Sequence, residues 1–266
     1  MQGEAAQITR LCVFRLMMIY MVALGLSACS NHMHPVVLNL KNQESLKVIG
    51  LPQFNKKTRL EIRQENAAIG LIGASAILLQ QMTWEYKRQQ YLNANPQLLD
   101  KTLKQLRSGI QRQLKKQGYI VKKLPMNYWQ AQAAHRKKDV HLKDVDALLH
   151  LQIKRFGYYT GSPFKPYRPG VILVADLVST KGRKQLSSHV YNIGFDAEDL
   201  SLFMLQLNYI TTIPAADQKY SYRNFNALIS NAKQSAVGLE SVVGIAVKSV
   251  TDDLKQHVER TDLVSK

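Results

Sequence analysis

The sequence predicts an α/β (α+β) fold, a mixed sheet with a carboxy-terminal antiparallel meander and flanking helices that include a long carboxy-terminal one. Three patterns predict it. Leu99, Leu103, Leu106, Ile110 and Leu114 recur at spacings of four, three, four and four, the apolar stripe of an amphipathic helix. Strand-like runs follow between residues 145 and 195, where Leu149, Leu151 and Ile153 alternate with His150, Gln152 and Lys154. From Phe225 to Leu254 apolar residues return every three or four positions, close to the 3.5 repeat of helix-on-helix packing.

Residues 1 to 28 read as an export signal. Arg10 and Arg15 precede an apolar run from Leu16 to Leu26, the charge-then-apolar layout of such segments. The run is shorter than the roughly 20 residues that cross a bilayer. It ends in Leu26-Ser27-Ala28-Cys29, which resembles the lipobox of bacterial lipoproteins. That resemblance implies a cut before Cys29, a diacylglyceryl group on its sulfur and acylation of the new amino terminus. Ser30, a residue other than Asp behind the cysteine, implies by the same resemblance transfer to the outer membrane, with the domain on the periplasmic face. The expected organisation is a signal over 1–28, a flexible tether over 29–45, one α/β domain over 46–259 and a tail over 260–266.

The two cysteines are Cys12 and Cys29. The first leaves with the signal and the second takes lipid, so no disulfide, thiolate nucleophile or Cys-ligated metal is expected in the mature chain. The formal net charge is +17, and +16 once Glu4, Arg10 and Arg15 are gone. Such an excess either solvates helix faces or draws anionic partners: lipid or lipopolysaccharide headgroups, acidic polymers or an acidic protein surface. Export makes nucleic acid the least consistent of these.

Taken in order, Ser30 to Gln43 is polar and reads as the tether. Its His32 and His34 lack a neighbouring carboxylate, so no metal site is expected there. Leu46 to Leu51 reads as a first strand that Pro52 ends. Residues 56 to 65 are charged and read as a short strand or a loop. Ala67 to Met82 is an apolar insertion rich in small residues. Gly70, Gly73 and Ala74 offer one close-approach face if the insertion is helical. It reads either as a core helix under neighbouring strands or as a membrane-dipping or oligomer-forming element. Trp84, Tyr86 and Tyr91 with Lys87 and Arg88 then form an aromatic and basic collar of the kind found at membrane interfaces.

Asn95-Pro96 is expected to cap the amphipathic helix and Gly118 to stop it. Its polar face gathers Lys101, Lys104, Arg107, Arg112, Lys115 and Lys116. Tyr119 to Leu124 reads as a strand ended by Pro125, and Asn127 to His135 as a short helix. Val145 to Ile153, Val171 to Val178 and Leu186 to Phe195 make the meander, the middle strand being apolar on both faces. The loop from Phe156 to Gly170 interleaves Tyr158, Tyr159, Phe164 and Tyr167 with Lys165 and Arg168. Its prolines at every third residue resist pairing, so it reads as a binding loop for sugar rings or partner side chains, or else as a long hairpin connection. Leu200 to Ile213 is undecided between helix and strand. The last helix carries Gly238 and Gly244 and needs support from packing.

Catalytic patterns do not emerge. The sequence has no Gly-rich phosphate loop, Gly-x-Ser-x-Gly elbow or His-Glu-x-x-His motif, and no cofactor is expected. His141, Asp144 and Asp146 hold acid–base chemistry in principle but read as a solvated loop before a strand. His150 and His189 either face each other across the sheet or are ordinary surface histidines.

The helix followed by Gly118-Tyr-Ile-Val, the Asp144-Val145-Asp146-Ala147 before a strand and the Phe-Gly-Tyr at 156 to 158 give an order of elements that resembles a group of bacterial envelope lipoproteins. That group shares the α/β domain of the curli-secretion channel lipoprotein, the amino-terminal domain of TolB and the Lpo-type activators of peptidoglycan synthases. The resemblance covers roughly residues 46 to 195. Together with the lipobox, the small-residue insertion and the missing catalytic motifs, it points to a non-enzymatic accessory subunit of an envelope secretion or transport assembly; the Tyr-rich loop and the positive charge point instead to a binding module for peptidoglycan, lipopolysaccharide or a cell-wall synthase. It assigns no site residue, because the group has no shared site. Expected partners are the membrane, through the lipid on Cys29, and envelope proteins or further copies of the chain.

Overall fold

The computed structural model describes residues 46–54, 58–64, 74–136, 142, 144–162, 164–181, 185–195, 210–214 and 218–264. Their backbone forms a seven-stranded mixed sheet with helices on both faces, the expected fold class. The first strands are β1 (Val48–Gln53) and β2 (Glu61–Gln64). Helices α1 (Ala74–Ala94) and α2 (Leu98–Lys116) lead to β3 (Ile120–Asn127) and a short α3 (Tyr128–Arg136). The meander is β4 (Ala147–Thr160), β5 (Arg168–Ser179) and β6 (Gln185–Ile193), with β7 (Ile210–Ile213) beside it. Two helices close the chain, α4 (Phe225–Ser230) and α5 (Ala232–Val264).

The sheet runs β3-β1-β4-β5-β6-β7. β4, β5 and β6 pair antiparallel, as their alternation predicts, while β3–β1, β1–β4 and β6–β7 are parallel. β4 is longer than its apolar alternation suggests. β1 pairs with its start at Ala147 and Leu148, and β2 pairs with its far end from Gly157 to Thr160.

Both strand-ending prolines sit inside strands instead. β1 passes through Pro52 with a register shift there, and β3, an outer strand, passes through exposed Pro125. A proline that costs a ladder hydrogen bond is tolerated at an edge or an irregularity. The core lies on the face covered by α1, α2 and α5. Leu106, Ile110 and Leu114 of α2, Val243, Ala246 and Val250 of α5 and Leu149 and Leu173 of the sheet are all buried there.

The start of α2 is rotated from the expected stripe. Leu98 and Thr102 are buried, whereas Leu99 is only partly so. Asn95-Pro96 forms the turn between α1 and α2, and Gln97 is the N-cap without a side-chain bond. At the other end Gly118 takes φ +91, with Tyr119 N–H donating to Leu114 O and Gly118 N–H to Lys115 O. This is the Schellman arrangement that needs a left-handed residue. Arg107, expected on the solvated face, turns inward and donates to the carbonyls of Leu51 and Leu124, each at 2.9 Å. It fastens α2 to β1 and β3.

The expected single carboxy-terminal helix is broken at Asn231. The Asn224 side chain caps α4 by accepting from Ala227 N–H at 2.9 Å. α5 continues past residue 259 to Val264.

Candidate functional site

Several sequence-predicted residues lie outside the described part, among them Cys29, Gly70, Gly73 and His141. Ala74 is the first residue of α1.

The expected binding loop is largely strand. β4 runs to Thr160 and β5 starts at Arg168, so Tyr158 and Tyr159 are strand residues, and Tyr167 sits in a bridge with Tyr222. All three rings are buried. Tyr158 donates to the Ser235 carbonyl of α5 at 3.0 Å, and Tyr159 donates to Glu61 Oε2 at 2.8 Å. Tyr167 accepts from Lys87 Nζ at 3.0 Å. Desolvation pushes the Tyr167 hydroxyl up to about 12 and raises those of Tyr158 and Tyr159 further. These rings join β4 to α5, β2 and α1, and they offer no face to a ligand. Phe164 alone of the loop's predicted aromatics stands in solvent, 97% exposed, with Lys165 and Arg168 half-buried beside it.

The collar behind the insertion, apart from the exposed Tyr86, is also folded inward. The Trp84 indole donates to Gln64 O at 3.2 Å and carries the Arg63 guanidinium 4.8 Å above its ring. Lys87 points to Tyr167 and lies 5.5 Å from the Phe225 ring, where burial lowers its pKa. Tyr91 is fully buried against Ser235, and Arg88 pairs with Glu85 of its own helix. The opposite side of α1 is apolar and outward. Leu78, Leu79 and Met82 are 61%, 66% and 69% exposed, and Ile77 and Tyr86 join them. Their neighbours on that side are the exposed amides Gln81, Gln89 and Asn93 and the exposed Glu85, which is paired with Arg88. No helix among the described residues is long and apolar enough to cross a membrane.

The second candidate is a groove of about 270 Å³ on the other face of the sheet. It forms where β1 has left β4 and β2 has not yet joined it, and it is lined by Gln53 with its ladder partner Asn127, by Thr58, Tyr128 and Trp129, and by residues 150 to 154 of β4 as its floor. Asn127 starts α3 by accepting from Gln130 N–H while its own N–H donates to Gln130 Oε1, both at 3.0 Å. This reciprocal cap sets the following two aromatics in place. Tyr128 lies flat on the His150 imidazole, centroids 3.8 Å apart, and Trp129 stands edge-on to Tyr128 with 66% of its surface exposed.

His150 Nδ1 is 3.4 Å from Asp176 Oδ2, and Ser188 donates to Asp176 Oδ1 at 2.6 Å. A nucleophilic triad places the imidazole between hydroxyl and carboxylate. Here the carboxylate stands between, so His150 is not placed to take the Ser188 proton. His189 is on the opposite face of the sheet, stacked on Tyr191 and bonded to Thr211 at 2.6 Å, so the two histidines do not face each other. The physical reason is register. His150 sits opposite Asp176 and Ser188, whereas His189 sits opposite Ala175, one residue out of phase.

Asp146 is structural. Its carboxylate accepts from Lys47 and Val48 N–H at 2.9 and 2.8 Å and so fixes the entry of β1. Asp144 is exposed with φ +63. No group of three or more His, Cys, Asp or Glu suited to a metal occurs among the described residues. The sequence reading missed the groove. The signal it offered was the Tyr128-Trp129 pair at the start of a short helix, next to a polar-faced strand.

Comparison with known proteins finds no family model that matches the chain and no curated protein similar to it.

Proposed function

We propose that the chain is a non-enzymatic lipoprotein, anchored through Cys29 on the periplasmic face of the outer membrane, that serves as a structural or accessory subunit of an envelope secretion or transport assembly. The lipobox-like Leu26-Ser27-Ala28-Cys29 supports the anchor and the address. The observation that carries the subunit role is the outward face of α1, where Leu78, Leu79 and Met82 stand together in solvent. Apolar side chains grouped this way mark a surface that another molecule covers.

That molecule is a protein. A helix that lies on an anionic bilayer flanks its apolar face with cations. On α1, Lys87 is turned into the core and Arg88 is engaged by Glu85, so this helix flanks the patch with amides and one ion pair rather than with a row of cations. A polar rim around an apolar centre is the make-up of a protein–protein interface.

The test is photo-crosslinking in intact envelopes from position 82, with position 164 as the comparison, since Phe164 is also exposed. A discrete protein adduct from 82 and none from 164 is expected, and Leu78→Glu removes it. Equal yields from both positions, adducts to lipid alone, or a monomer without partners would each overturn the proposal.

A specific observation favours a second reading, a binding module for peptidoglycan, lipopolysaccharide or a cell-wall synthase. It is the aromatic groove rather than the Tyr158–Tyr167 region.

A further inference from the structure

We infer that the groove between β1 and β4 is a binding site for a neutral pyranose ring of a glycan. The inference rests on the envelope placement above only for which glycans come within reach. A sugar ring has an apolar face of C–H bonds and a rim of hydroxyls, so its site needs an exposed aromatic face beside planar polar groups that both donate and accept. The groove supplies both. Trp129, at 66% exposure, is the most solvent-open of its aromatic rings, and it is held rather than loose because it packs against Tyr128, which is itself stacked on His150. A large apolar ring fixed in water at the rim of a polar groove is a stacking platform, since tryptophan otherwise gains by burial.

Polar groups line the same groove. Gln53, Asn127 and Gln152 carry amides, each a donor and an acceptor. Lys154 is exposed on the floor. The floor adds its own backbone, for β4 between Leu148 and Gly157 has no ladder partner on this side among the described residues. The lining is mostly uncharged, as a neutral ring requires. His150 is paired with Asp176 at 3.4 Å, and Lys154, at the exposed end of the floor, is the one lysine or arginine among the lining residues. An anionic polymer would meet more cation density on α2 than here.

Two sources present this chemistry, the N-acetylated glycan of peptidoglycan and the uncharged outer-core hexoses of lipopolysaccharide. The test uses the full mature lipoprotein in detergent, with Trp84→Phe so that Trp129 is the remaining tryptophan, and titrates chitotetraose and a neutral outer-core hexose oligosaccharide while following its fluorescence. A saturable change with either is expected, and the tighter of the two identifies the source. Trp129→Ala is followed by competition and weakens binding by about tenfold, the size of one lost aromatic contact. Gln152→Ala weakens it as well, whereas Phe164→Ala leaves it intact. No saturable response to either sugar would overturn the inference, as would equal affinity in Trp129→Ala. Binding of heparin but of neither sugar would also overturn it. Lys154→Gln, an exposed change that spares the fold, keeps the test meaningful if Trp129→Ala fails to fold, because it lowers sugar affinity only if the groove is occupied. Soluble sugars need no partner subunit, so failure here leaves the subunit proposal standing, and failure of crosslinking from α1 leaves this one standing.

Discussion

Gly157 and Glu61 meet so closely that a Cβ on Gly157 would lie 1.8 Å from the Glu61 carbonyl oxygen. They are register partners in the parallel pairing of β2 with β4, and Gly157 holds φ +152. No side chain fits there without parting the strands. Gly157→Ala is therefore expected to cost more than about 2 kcal/mol, as overpacking and an unfavourable φ act together. In thermal unfolding this appears as a midpoint lowered by roughly 4–8 °C for a chain of this size. An unchanged midpoint would show that β2 is not held against β4.

Two glycines of α5 predict opposite signs. At Gly238 a Cβ would come 2.5 Å from the Tyr158 hydroxyl and 2.9 Å from Tyr220, so Gly238→Ala pushes a buried ring cluster apart and destabilises. At Gly244 the same atom meets nothing within 4 Å and the position is exposed. Gly244→Ala is expected to stabilise by about 0.5–1 kcal/mol, the helix propensity gap between the two residues. Parallel melting curves check the pair, and a loss at both sites would refute the packing described at Gly244.

The fold was legible where the pattern concerns one face of one element. Leu106, Ile110 and Leu114 mark α2, and the alternation of Leu149 and Leu151 marks β4. What the sequence concealed depends on long-range partners. Tyr158, Tyr159 and Tyr167 look like loop aromatics because prolines and cations surround them. They are buried because Ser235, Glu61 and Lys87 arrive from distant parts of the chain. The same holds for Trp84 and Arg107, whose inward turn needs the carbonyls of Gln64 and Leu51. The groove was hidden for a related reason. It exists because β1 and β2 approach β4 at separate places, which no local pattern encodes.

Burial also fixes the response to alkali. Desolvation raises the hydroxyl pKa of Tyr91, Tyr119, Tyr128, Tyr158, Tyr159, Tyr167, Tyr191 and Tyr222, that of Tyr167 to about 12. In the unfolded chain these groups ionise near their ordinary value of about 10. A raised native pKa means that the folded state keeps protons the unfolded state releases, so the stabilising contribution is complete below pH 10 and is lost as pH rises beyond it. Lys87 acts in the other direction. Burial lowers its pKa, so its cost is present at neutral pH and is relieved toward its ordinary value of about 10.5. One lysine against eight tyrosines leaves the net slope downward. Denaturant midpoints measured at pH 9, 10 and 11 are expected to fall between the last two. Absorbance at 295 nm should show the shifted tyrosines ionising together with unfolding rather than before it. A smooth titration of all the tyrosines near pH 10 with the fold intact would contradict their burial.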